Sequence, residues 1–327
     1  MSTITVIEAV REAMAEEMRR DERVFIFGED VGRRGGVFLA SKGFIDEFGP
    51  ARVLDTPLAE ASIAGVAVGA AMAGMRPIAE VQFADFVWPI VNQIIGEAAR
   101  ARYGTKSKVS VPLVVRSPYG GQVRGGLFHS QSVEAYFAHT PGLKVVAPAT
   151  PYDVKGLLKA AIRDEDPVVF LEHKRTYRSV RGEVPDEDYV LPIGVADVKR
   201  PGTNASIITY GLTLHYALAA ADKLAVEGVE VEVVDLRTLK PLDAETVLAS
   251  VRKTSRALVV HEDNISLGVG AEVAALIAEH AFEALDAPVM RVAGPDIPAM
   301  PFAPTLEAAF MPTTEKIEAA LRRLLTY

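Results

Sequence analysis

The sequence predicts an α/β fold of two domains, each a mostly parallel sheet with helices on its faces. Three observations predict it. The 327 residues exceed one typical domain, and 49% of them are apolar, enough to fill two cores. Short apolar runs alternate with helical stretches along the whole chain. Those runs are continuously apolar, which suits strands buried on both faces of a parallel sheet.

The elements follow in order. Ile7, Val10, Met14 and Met18 share one helical face, and Thr5 and Glu8 have the spacing of a capping box at its start. Strands are expected at 24–27, 77–83, 111–115, 143–147 and 168–171, separated by helices or glycine-rich loops. Residues 175–203 break the pattern with Arg178, Arg181, Gly182, Pro185, Pro192, Pro201 and Gly202, the composition of a surface connection. The expected division is a first domain over 1–185, a connection over 186–203 and a smaller α/β domain over 204–327. In the second, strands are expected at 206–210, 229–234, 257–260 and 289–292, with helices at 214–224, 244–251 and 271–285. No internal repeat is strong enough to mark a duplication.

Composition narrows the chemistry. A formal charge of -8 with both signs interspersed leaves no basic patch for nucleic acid and no polybasic run for a membrane surface. No apolar run approaches the roughly 20 residues that span a bilayer, and the N-terminus does not read as a signal peptide. With no cysteine, disulfides, thiolate metal sites and a Cys nucleophile are excluded. A cytoplasmic protein whose partners are proteins and small molecules is the expectation.

Several segments can carry chemistry. Glu60 follows Pro57, and Pro at the first helical position with an acid in the first turn is ordinary helix-start chemistry. Gly65 and Gly69, four apart in an alanine-rich helix, weaken it unless another backbone comes close. Gln82, Phe83 and Phe86 end a buried strand, the edge where open α/β sheets bind ligands. Glu29 stands just after the first strand, where it could cap the next turn. His129 follows the glycine-rich stretch 119–126 and precedes a helix that Ser130 or Ser132 could cap. The acidic turn 164–166 reads as a solvated face or an oxygen site for a cation. His139 and His173 read as structural, His261 has no assignment, and no histidine spacing matches a metal site.

Glu60 with Gly65-Val66-Ala67-Val68-Gly69-Ala70 resembles the pyrimidine-side signature of thiamine diphosphate enzymes. Together with Leu127-Phe128-His129-Ser130-Gln131-Ser132, it makes the chain resemble the beta subunits of the decarboxylating component of 2-oxoacid dehydrogenase complexes. The likeness covers essentially the whole length, implying a pyrimidine-binding transketolase-like domain followed by a transketolase C-terminal-type domain. The stretch 293–301 looks closer to branched-chain than to pyruvate members.

The resemblance implies roles residue by residue. Glu60 would bond a ring nitrogen of the aminopyrimidine and so promote the ylide, a task suited to a carboxyl whose pKa an apolar cleft has raised. Phe86 would stack on that ring, while Glu29, Leu58, Ala59, Gln82 and Phe83 line the cofactor pocket. Phe128, His129 and Phe86 would meet substrate, with His129 an acid-base group for the 2-oxo acid or the lipoyl sulfur. Leu113, Ala161, Ile162, Asp164 and Asp166 would hold potassium. The Gly-Asp-Gly…Asn motif that holds magnesium and diphosphate is missing, so an alpha subunit would supply it in a two-alpha, two-beta assembly, with a lipoyl acyltransferase as further partner. Pyruvate or acetoin as substrate is the nearest alternative. A non-catalytic scaffold is the alternative of another class, against which the intact Glu60, Phe86 and His129 argue.

Overall fold

The computed structural model describes residues 1–327, which fold as two compact units. One holds residues 1–119 and 136–193, the other residues 120–135 and 194–327.

The first unit starts with a short strand, β1 (Ser2–Thr5), and α1 (Val6–Arg20). The expected capping box is present: the Thr5 N–H donates to Glu8 Oε2 at 2.7 Å, and the Glu8 N–H to Thr5 Oγ1 at 3.4 Å. Val10, Met14 and Met18 are buried, and Ile7 packs at the margin of the same core. Then come β2 (Val24–Gly28), α2 (Phe44–Phe48), β3 (Val53–Asp55), α3 (Glu60–Met72), β4 (Arg76–Glu80), α4 (Ala99–Gly104) and β5 (Val114–Tyr119). After α5 (Glu134–Ala138), whose first two residues belong to the second unit, follow β6 (Lys144–Val146), α6 (Pro151–Arg163), β7 (Val168–His173), α7 (Thr176–Ser179) and β8 (Arg181–Val184). Six strands of this unit pair in parallel, in the order β6-β7-β5-β4-β2-β3, and β1 pairs antiparallel with β8. Continuous burial of β4, β5 and β7 is what parallel strands covered on both faces require.

The second unit contains β9 (Asp197–Arg200), β10 (Ala205–Thr209), α8 (Leu212–Ala225), β11 (Val231–Asp235), β12 (Thr238–Lys240) and α9 (Ala244–Thr254). It closes with β13 (Ala257–Asn264), α10 (Val269–His280), β14 (Met290–Gly294), α11 (Pro304–Phe310) and α12 (Thr314–Leu324). Its five-stranded sheet has the order β14-β13-β10-β11-β9, parallel except for β9.

Several local expectations need correcting. The strand expected at 77–83 stops at Glu80, and Ala84–Phe86 form a 3₁₀ turn, so Gln82 and Phe86 stand beyond the strand. The strand expected at 111–115 begins only at Val114, because Pro112 has no N–H for the ladder. Pro57 lies outside α3, whose first residue is Glu60. The stretch read as connection includes β9, which pairs with β11. Helices α11 and α12 had no counterpart in the sequence reading.

Candidate functional site

In the first unit, Glu29 and Gln82 follow the carboxyl ends of β2 and β4. A Cβ on Gly28 would lie 2.8 Å from the Glu80 carbonyl oxygen, so only glycine lets the two strand ends approach. Glu29 follows at once, and Gln82 Nε2 donates to its carbonyl at 3.1 Å. Burial raises the Glu29 carboxyl pKa, and the charges of Asp30 and Glu60 add to the rise. Glu29 and Glu60 therefore share one electrostatic neighbourhood.

Glu60 opens α3 on the N-cap Ala59, whose side chain makes no cap bond. A carboxylate there meets the positive end of the helix dipole. Expected in a largely apolar cleft, Glu60 is only half-buried within this chain, beside Leu58 at 71% exposure. The inner face of α3 buries Ile63, Ala64, Ala67, Val68 and Ala71. Gly65 and Gly69 face outward, where a Cβ on Gly69 would meet nothing within 4 Å. The close backbone approach their spacing implies is not made within this chain.

Phe86 meets Phe83 edge to face, centroids 5.8 Å apart. Phe83 meets Phe38 at 5.6 Å, and Phe38 meets Tyr177 at 5.1 Å. This aromatic row ends in a buried ionic cluster that the sequence reading missed. Arg116, 1% exposed, donates to Glu172 at 2.6 and 2.7 Å and to Glu80 at 2.8 Å, and the Tyr177 hydroxyl donates to Glu172 at 2.6 Å. Burial pushes the Glu80 carboxyl up against the pull of Arg116, with Glu172 adding to the rise. Burial works against the charged guanidinium, yet Glu172 and Glu80 hold the Arg116 pKa above its usual value.

His129 belongs to the second unit, within the 120–135 segment. It follows the 3₁₀ turn Gly126–Phe128 and is half-buried, beside Phe128 at 66% exposure. The Ser132 hydroxyl is buried without a hydrogen bond, so it does not cap α5 as expected. Behind the loop, Tyr210 donates to Glu134 Oε1 at 2.8 Å, while Glu134 Oε2 has no partner. Burial, with the Asp263 charge, raises the Glu134 carboxyl well above its ordinary range. Burial also lifts Asp263 to about 6.

His261 lies stacked on Tyr210 with neither ring nitrogen hydrogen-bonded. Burial and the charge of Arg291 lower it to about 4, so it is a neutral core ring. His173 is likewise buried: its Nδ1 accepts from the Arg175 N–H at 3.2 Å, and its ring packs on Tyr119. His139 is exposed.

Of the expected cation ligands, the carbonyls of Ile162 and Asp164 meet on one guanidinium, and protein groups already engage the oxygens of all five. Arg76 donates to the carbonyls of Ile162 at 3.0 Å and Asp164 at 2.9 Å. Lys144 binds the Asp164 carboxylate at 2.6 Å, and Arg102 pairs with Asp166. The Leu113 carbonyl accepts from the Val168 N–H and that of Ala161 from the Asp164 N–H. No group of three or more His, Asp or Glu side chains is arranged to hold a metal ion, and no helix is long and apolar enough to cross a membrane.

Comparison with known proteins bears on both units. Residues 2–180 match the transketolase pyrimidine binding domain, and residues 194–317 the transketolase C-terminal domain. The chain is 60% identical over 327 residues, all of both chains, to the 2-oxoisovalerate dehydrogenase subunit beta of Bacillus subtilis (strain 168). Over the same full length it is 48% identical to that organism's pyruvate dehydrogenase E1 component subunit beta. The Staphylococcus aureus (strain N315) pyruvate dehydrogenase E1 component subunit beta is 48% identical over 296 residues, covering 90% of this chain and 91% of that one. Among solved structures, a split gene transketolase described as an inactive beta4 tetramer superimposes with a TM-score of 0.80 over 99% of this chain and 98% of the other, at 24% identity, a likeness of fold alone.

Proposed function

The chain belongs to the beta subunits of the thiamine-dependent 2-oxoacid dehydrogenases, and from that premise we propose that its substrates are branched-chain 2-oxo acids of the 2-oxoisovalerate type. The observation that carries this is the gap between 60% and 48% identity over the same 327 residues. In this reading it acts with an alpha subunit in a two-alpha, two-beta assembly and passes its acyl product to a lipoyl acyltransferase in the cytoplasm.

Thiamine diphosphate supplies a stabilised carbanion and an electron sink when bound. The residues of the first unit fit its pyrimidine end in donor chemistry: a half-buried carboxyl, an aromatic face and an amide. Glu60 holds the ring-nitrogen proton, Phe86 offers its face, and Gln82 fixes the Glu29 backbone that walls the pocket beside Leu58, Ala59 and Phe83. His129, with Phe128 alongside, holds the proton delivered to the dithiolane sulfur as acyl transfers. Magnesium is assigned mainly to the alpha subunit, because the Gly-Asp-Gly motif is missing here. Potassium at Leu113, Ala161, Ile162, Asp164 and Asp166 would share the oxygens of the last three with Arg76, Lys144 and Arg102. An unchanged thermal midpoint between potassium and choline salts would remove it.

Two experiments test the reading. Calorimetric titration of thiamine diphosphate with magnesium should show saturable binding only when the alpha subunit is added; tight binding by the chain alone would end the divided-site reading. Steady-state kinetics of the assembled enzyme should favour 4-methyl-2-oxopentanoate over pyruvate in kcat/KM. The reverse order would make pyruvate the substrate.

A further inference from the structure

We propose that Glu262 and Glu307 are positioning residues for His129, two buried carboxylates that clamp the backbone of the loop presenting it. The proposal rests on the acid-base reading of His129 and deepens it.

The loop is hard to hold in shape unaided. Gly120, Gln122, Arg124 and Gly126 all take left-handed φ values, +86°, +61°, +57° and +61°, and for Gln and Arg that conformation is strained. Strain of this kind persists only where surrounding structure over-determines it. Here the over-determination comes from two acids far away in sequence. The Gly121 N–H donates to Glu262 Oε1 at 2.5 Å, the Gln122 N–H to Glu307 Oε1 at 2.7 Å, and the Arg124 N–H to the same oxygen at 3.4 Å. Both side chains are buried, Glu262 on β13 and Glu307 on α11. Bonds from backbone N–H groups to ionised carboxylates are about twice as strong as neutral ones.

The clamp is transmitted to His129 over a short path. A Cβ on Gly121 would lie 2.7 Å from Met300 Cε, and one on Gly126 3.1 Å from the Phe302 ring, so the loop backbone lies flat against the segment leading into α11. A Cβ on Gly125 would lie 2.6 Å from both the Cβ and the carbonyl oxygen of His129. Gly125, next to the clamped Arg124, therefore lies close against the histidine backbone. Across the neck, the Gly120 N–H donates to the Gln131 carbonyl at 3.0 Å, tying together the residues before and after His129. Tyr216 adds a hydrogen bond to the Gln122 side chain. A shift of about 1 Å in a proton donor can cost on the order of 10²-fold in rate, which is the scale at which this anchoring matters.

The test uses the enzyme assembled with its alpha subunit, with two readouts: ferricyanide-coupled decarboxylation of the 2-oxo acid, and reductive acylation of a free lipoyl domain. Glu262→Ala and Glu307→Ala should lower kcat for lipoyl acylation by about 10²-fold with KM for the lipoyl domain unchanged and the ferricyanide rate within about twofold. The Gln variants, which keep an acceptor oxygen, should recover most of the loss. Adding His129→Ala to Glu307→Ala should cost nothing further beyond His129→Ala alone. Should the alanine variants fail to fold, Gly121→Ala, which pushes against Met300 and the Glu262 bond while keeping both acids, should give the same selective loss. If His129→Ala is slow while these variants acylate normally, the proposal falls and the role of His129 stands. Equal loss in both readouts also overturns it, since the acids would then serve the fold at large. Normal acylation by His129→Ala removes the acid-base reading and the proposal together.

Discussion

Arg116 is buried at the centre of a parallel sheet, where Glu80 and Glu172 compensate its charge. Removing one partner of a buried ionic group leaves the others uncompensated, at a cost of about 3–5 kcal/mol. Arg116→Met should therefore lower unfolding stability by about that amount in urea titrations, and a loss under 1 kcal/mol would show the cluster to be dispensable. Glu60→Gln, which keeps the shape and removes the acid, should cut turnover by about 10²- to 10⁴-fold while thiamine diphosphate still binds; unchanged turnover would take Glu60 out of the mechanism. The two residues differ in legibility for a physical reason. Glu60 and His129 are read from local strings, whereas Arg116 finds its partners 36 and 56 residues away through the order of β4, β5 and β7. Nothing in the neighbourhood of Arg116 along the chain announces that order.

Among elements, α1 and α6 show how a predicted helix acquires an unpredicted surface. Lys155, Lys159 and Arg163 recur every four residues along α6 and meet Glu12, Glu16 and Glu17 on α1. Both lysines are buried, and Glu16 binds both, at 2.7 and 2.5 Å. Glu12 is the more exposed acid and binds only Lys155. Glu16→Ala should thus cost about 2 kcal/mol, the value of charged hydrogen bonds lost inside. Glu12→Ala should cost less, about 1 kcal/mol, because Lys155 keeps its pair with Glu16. Equal losses in parallel urea titrations would refute this ranking. The apolar stripe and capping box of α1 were legible because they lie within one helix. Strand ends were less so: apolar side chains continue past Glu80, but the ladder does not. Helix α12 carries its own stripe of Ile317, Leu321 and Leu324 and was open to the same periodicity argument that found α1.

At the scale of the molecule, two α/β units were legible from alternation and length, but the membership of residues 120–135 in the second unit was not, since a reading along the chain assigns domains as unbroken stretches. The carboxylates behind that segment should make the stability of the second unit depend on pH. Asp263, lifted by burial to about 6 from 3.8, and Glu134, raised well above its ordinary range by burial and the Asp263 charge, bind more protons folded than unfolded. Their stability contribution is present below the unfolded pKa and lost as pH rises through the folded one. His261, lowered by burial to about 4 from 6.5, does the opposite: the unfolded state binds the proton first, so stability is lost as pH falls from above 6.5 towards 4. The two slopes oppose each other between about pH 4 and pH 6, each worth on the order of 3 kcal/mol. Single substitutions should separate them. In His261→Phe, an apolar ring replaces one whose nitrogens have no partners, so little is lost at pH 7.5, and stability should now rise on going from pH 7.5 to 5. In Asp263→Asn the penalty on the carboxylate is gone, and stability should fall more steeply than in the parent over the same range. Urea midpoints at half-unit pH steps decide it: parallel curves for the parent and both variants would mean that neither group carries its shift into stability, while crossing curves would place the pH sensitivity of the unit in this buried trio.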